Sequence, residues 1–146
     1  MPDTALLIID MQSALLSDAY DVEACLGRVA NLAERARSSG VPVIYLRQRL
    51  DAVPAGLIDV HQAVAPRPGD VVLDKDSADS FLDTTLGDLL NEWAVRRLIV
   101  TGFATEYCVE DHQQHQSCDA VGVRGHRRRG HRPSVAAAVL AQAPRT

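Results

Sequence analysis

Lysine is almost absent from this chain. Lys75 is the only one, against fourteen arginines. In an arginine-rich sequence a lone lysine at the end of an apolar run reads as a compact point charge, which a planar guanidinium does not replace. The alternative is an ordinary solvated surface lysine. Long apolar runs are also missing: none approaches the roughly 20 residues that span a bilayer, so no membrane partner is expected. Met1-Pro2-Asp3 leads straight into a strand-like run without the basic and apolar regions of a signal peptide. Only three cysteines occur, Cys25, Cys108 and Cys118, with no C-x-x-C. They read as reduced thiols in a cytoplasmic protein. No G-x-G-x-x-G follows the first strand, where Asp10-Met11-Gln12 stands instead, and this argues against a dinucleotide-binding domain. Before residue 110 the only histidine is His61, so no metal-ligand cluster is expected there. A net charge of −4 argues against a general nucleic-acid binder.

What remains is enough for one globular domain over residues 1–146, with 47% hydrophobic residues to build a core. Thr4 to Ile9, TALLII, is a continuous apolar run, typical of a strand covered on both faces in a parallel sheet. It ends in Asp10, where open α/β sheets place their ligands; the alternative is a loop acid capping the next segment. Val22 to Ser38 is predicted helical behind an Asp21 cap. Its apolar stripe is Val22, Cys25, Leu26, Val29, Leu32, Ala33 and Ala36, and Gly40 ends it. Val41 to Leu46 is the second predicted strand, ending in Arg47. Strand, helix and strand make a right-handed crossover unit.

Leu50 to Asp70 is punctuated by prolines and glycines and reads as a binding loop or interface. Val71 to Leu73 is a short third strand leading to Asp74 and Lys75. Ser80 to Trp93 is the next predicted helix, starting at Asp79 or Ser80, or at Asp83 after an irregular turn. Leu98-Ile99-Val100 is a buried strand, broken by Gly102. Cys108 follows at the mouth of a predicted helix. The first N–H groups of a helix are unpaired and partly positive. Such a position can lower a cysteine pKa from about 8.5 to roughly 3.5–7.5, and the same donors can hold an oxyanion. The plainer reading of Cys108 is a small buried hydrophobe.

Asp10, Lys75 and Cys108 each follow a different predicted strand. If these strands are parallel, all three lie on one sheet edge. Cysteine would supply a nucleophile, aspartate a base, and lysine the charge that favours the thiolate and holds the carboxylate.

These segments carry a resemblance. ALLIIDMQ (5–12), HQAVAPRPGDVVLDKDSADSFLDTTLGDLL (61–90) and LIVTGFATEYCV (98–109) resemble the isochorismatase-like cysteine hydrolase family over most of residues 4–110. The resemblance implies a three-layer α/β fold, a Rossmann-like parallel sheet with helices on both faces. It implies an Asp10, Lys75, Cys108 triad and a cis peptide at Phe103–Ala104, with Ala104 and Cys108 N–H groups as an oxyanion hole. Phe81 and Tyr107 are the expected substrate-pocket walls. The implied chemistry is cleavage of a C–N bond in a small amide-like substrate through a Cys108 thioester, with no cofactor. Asp59-Val60-His61 has the Asp-x-His spacing of metal-binding nicotinamidase relatives. The stretch nevertheless aligns better with the H-x-x-VAP segment of metal-free members, so no metal is implied. The resemblance also implies a homo-oligomer.

After Asp111 the family pattern stops. Residues 112–132 hold four of the five histidines and a cluster of arginines, where the family has a helix and then G-Y-x-V-x-V-V-x-D. GC-rich codons for His112 to Gly130, read one nucleotide later, can encode that missing strand. A shifted reading frame with a later compensating change accounts for this, because the stretch after Pro133 again resembles a family helix. Residues 112–132 are therefore expected to pack poorly or to be disordered, disrupting the last strand and helix. The alternative function is a catalytically impaired remnant that serves as a scaffold, binding or oligomerisation module.

Overall fold

In a computed structural model, residues 3–16, 22–77 and 80–102 and the backbone of 122–125 are described. Strand β1 (Thr4–Ile9) is followed by a single helical turn, α1 (Ser13–Leu16), and by helix α2 (Val22–Ser38). Then come β2 (Val43–Gln48), the short α3 (Ala55–Ile58), a 3-10 turn at Gln62–Val64 and β3 (Val71–Lys75). Helix α4 (Leu86–Glu92) leads to β4 (Arg97–Gly102), and β5 (Gly122–Gly125) closes the sheet.

The sheet order is β3-β2-β1-β4-β5. β1 through β4 are parallel. The chain moves outward from β1 to β2 and β3, then crosses back to place β4 on the other side of β1. The carboxyl ends of β1 and β4 therefore flank the point where strand order reverses, the usual ligand crevice of open α/β sheets. β1 alternates its side chains between two cores. Leu6 and Ile8 join Cys25, Leu26, Val29 and Ala33 of α2 on one face. Ala5 and Leu7 join Leu86 and Leu90 of α4 on the other. A strand buried on both faces needs an unbroken apolar run, which TALLII provides. The three-layer α/β architecture inferred from the sequence is thus the observed one.

Some expectations are corrected by the structure. β2 starts two residues later and ends two residues later than predicted. Val41 is instead used to close α2: its N–H donates to Ala36 O at 2.8 Å, and Gly40 N–H donates to Arg37 O at 3.1 Å. That pair of bonds is a Schellman motif, with Gly40 at φ 72°. The helix predicted from Ser80 begins only at Leu86. Asp83 has φ 53°, which interrupts any helix, and the Thr84 hydroxyl donates to Ser80 O at 2.6 Å. The sheet is not wholly parallel, since β5 runs antiparallel to β4. Of the stretch expected to be disordered, 122–125 has a regular backbone ladder; the rest lies outside the described residues. A ladder needs only backbone N–H and C=O groups, so a sequence without a buried-strand pattern can still extend an open sheet edge. Finally, the reading of Cys25 as a reduced thiol fails, since it is disulfide-bonded; the readings of Cys108 and Cys118 lie outside the described residues.

Candidate active site

Asp10 is the first residue past β1. Its N–H continues the ladder by donating to Leu46 O at 2.9 Å, and its φ of 58° turns the chain sharply. Asp tolerates this left-handed conformation better than most residues. Met11 then drops into the core and Gln12 is fully buried. Lys75 is the last residue of β3, two strands away, and only 2% exposed. Its Nζ lies 3.2 Å from Asp10 Oδ1 and 3.4 Å from Asp10 Oδ2. Two of the three residues singled out from the sequence thus meet as a buried ion pair, though 65 positions separate them.

The ammonium has two further partners, Gln48 Oε1 at 2.8 Å and Ser77 O at 3.2 Å. Gln48 ends β2, in register with Lys75. Its backbone is gripped by Gln12: Gln48 N–H donates to Gln12 Oε1 at 2.8 Å, and Gln12 Nε2 donates to Gln48 O at 2.7 Å. The same Nε2 donates to Ile58 O at 2.8 Å, tying the 50–70 connection to the sheet edge. Sequence reasoning missed both glutamines. Gln12 was legible as a polar residue directly after a buried run. Gln48 needed a strand end placed two residues further on.

On the other side of β1, Gly102 ends β4 with φ 132°. A Cβ there would stand 2.1 Å from Ile9 O, so only glycine fits where β4 leaves the sheet beside Asp10. The chain from this point carries Ala104, Tyr107 and Cys108, which lie outside the described residues, as does the Phe103–Ala104 peptide. Phe81 is half-buried and packs against the core on the α4 side.

Around this edge the charged groups are paired. Arg47 donates to Asp74 at 2.7 and 3.2 Å and to Asp59 at 2.8 Å. Its hydrogen bond to Asp74 holds that carboxyl below its ordinary pKa. His61 Nδ1 accepts from Ala63 N–H at 3.0 Å, capping the 3-10 turn. Asp59 and His61, the Asp-x-His pair, are thus engaged in separate structural roles. Among the described residues no group of three His, Cys, Asp or Glu side chains could hold a metal, and no helix is long and apolar enough to cross a membrane.

Known proteins share this sequence and fold. The isochorismatase domain matches residues 4–121. The chain belongs to the isochorismatase family. It is 34% identical to a streptothricin hydrolase of Streptomyces noursei over 134 residues, covering 86% of this chain and 51% of that protein. It is 28% identical to the ureidoacrylate amidohydrolase RutB of Variovorax paradoxus, covering 74% of this chain and 60% of that protein. A crystal structure of an isochorismatase family protein superposes with a TM-score of 0.68 at 30% identity, covering 75% of this chain and 69% of that one. The chain therefore spans about half to three-fifths of the length of these curated relatives, which are hydrolases by name.

Proposed function

We propose that this isochorismatase-family chain is a cysteine hydrolase that cleaves a C–N bond in a small amide-like substrate. The observation that supports this best is the buried Lys75–Asp10 pair at 3.2 Å, on the carboxyl edge of the sheet. Removing two charges from water is expensive, and such a pair is poor evidence for stability alone. At a ligand-binding edge it suits chemistry. In this reading the Cys108 sulfur attacks the substrate carbonyl carbon and the C–N electrons leave with the amine, which takes a proton by way of Asp10. A water molecule, deprotonated by Asp10, then attacks the thioester and restores the thiolate. Lys75 holds the carboxylate in place by a charge-assisted contact. Ala104 and Cys108 N–H groups hold the oxyanion, and Phe81 and Tyr107 wall the substrate. The names of the relatives, one an amidohydrolase, favour amide-like substrates. A single domain over 1–146, a cytoplasmic location, a homo-oligomeric state and independence of cofactors belong to the same proposal.

The departure from the family pattern after Asp111 favours a second reading, an inactive remnant that keeps the scaffold. A panel of small amides and ureides, with the unaltered protein and Cys108→Ser, separates the two. The hydrolase reading expects turnover that Cys108→Ser abolishes. It also expects iodoacetamide to label Cys108, located by peptide mapping, faster than it labels glutathione at neutral pH. No turnover together with slow labelling leaves the remnant.

A further inference from the structure

Asp10 and Lys75 have roles in the proposal above; Gln48 has none, yet it is the nearest partner of the ammonium. Its Oε1 stands 2.8 Å from Lys75 Nζ, closer than either Asp10 oxygen at 3.2 and 3.4 Å. An ammonium has three N–H donors and no acceptor, so the amide must present its oxygen here. Asp10, Gln48 and Ser77 O together account for all three donors. Gln48 is itself held in place. Both of its backbone polar groups are bound by Gln12, which is fully buried, and its Cα lies in register with that of Lys75. The amide oxygen therefore has little freedom to follow a wandering ammonium; the ammonium must come to it.

We propose that Gln48 is a positioning residue that fixes the Lys75 ammonium over the Asp10 carboxylate, with Gln12 as the clamp that holds Gln48. The consequence for catalysis rests on the hydrolase reading; the positioning itself does not. Without the Gln48 oxygen, one N–H of a buried ammonium loses its charge-assisted acceptor. The ammonium then shifts within the site, and Asp10 loses the fixed geometry that proton transfer requires.

Lys75 is the only lysine, so a protein made with 15N-labelled lysine carries a single side-chain ammonium signal. In the unaltered protein that signal is expected to be sharp, with slow proton exchange, because the group is buried and fully bonded. Gln48→Leu is expected to speed the exchange about tenfold and lower kcat about tenfold while KM changes less than about twofold. Gln48→Glu keeps an oxygen at the same reach; it should restore the slow exchange and move the acid limb of the kcat profile to higher pH, because the added negative charge raises the Asp10 pKa. Where the Leu variant does not fold, Gln48→Ala takes its place. Unchanged ammonium exchange in the Leu or Ala variant overturns the proposal, as does failure of Gln48→Glu to restore it. If the unaltered protein turns over no amide, the hydrolase reading falls, while the ammonium signal still decides the role of Gln48.

Discussion

The Asp10–Lys75 pair shows what a single residue can carry. Each partner is buried beyond easy solvation, so removing one leaves the other uncompensated. Asp10→Ala or Lys75→Met alone is expected to destabilise the fold by about 3–5 kcal/mol. Asp10→Ala combined with Lys75→Met should lose less stability than the sum of the two single changes, because no lone charge remains. Urea unfolding of the three variants measures this. Gly102 is constrained differently. Its Cβ position overlaps the Ile9 backbone, and no side-chain rotation relieves a clash with main chain. Gly102→Ala should lower stability by about 3 kcal/mol or more, read as a lower denaturant midpoint.

Helix ends carry the next scale. α2 and α4 close with the same Schellman bonds. In α4, Val95 N–H donates to Leu90 O at 2.9 Å and Ala94 N–H to Asn91 O at 3.1 Å. The left-handed position is Gly40 in the first, at φ 72°, but Ala94 in the second, at φ 54°. Alanine is strained there and glycine is not. Ala94→Gly is expected to stabilise the protein by about 0.5–1 kcal/mol, and Gly40→Ala to destabilise it by a similar amount, both read as shifts in melting temperature. α2 is also tied to the loop before β3: Arg37 donates to Asp70 at 2.6 and 3.3 Å and to the Tyr45 hydroxyl at 3.1 Å. The hydrogen bond to Asp70 pushes the Arg37 pKa up, so the guanidinium side of this bridge keeps its charge.

For the whole molecule, pH and reading frame are the variables. Arg47 joins β2 to β3 through Asp74 and to the 50–70 connection through Asp59. The folded pKa of Asp74 lies below its ordinary value. Its contribution is therefore complete above the unfolded carboxyl pKa near about 3.9 and is lost as pH falls through the folded value. Asp74→Asn should flatten the acid side of the stability curve below about pH 4 and leave its slope near neutrality unchanged, as thermal melts across pH would show. The segment 112–132 poses the larger question. Resequencing the gene should reveal a one-nucleotide shift near codon 112 and a compensating one before codon 133. A chain with the frame restored should melt at a higher temperature, because a buried apolar strand would replace arginines that cannot be buried unpaired cheaply. An intact, unshifted frame overturns this account.

Much was legible from local pattern alone. TALLII specified a strand covered on both faces, the stripe from Val22 to Ala36 specified α2, and Gly40 specified its end. These depend on side chains a few positions apart, and such patterns survive in one dimension. The sequence also marked Asp10 and Lys75 as polar residues at the ends of apolar runs. Only the tertiary structure brought them within 3.2 Å, placed Gln48 between their strands and turned β5 antiparallel. Those outcomes depend on which strands lie side by side and in which register, and that choice is made by burial of the whole sheet rather than by any one segment.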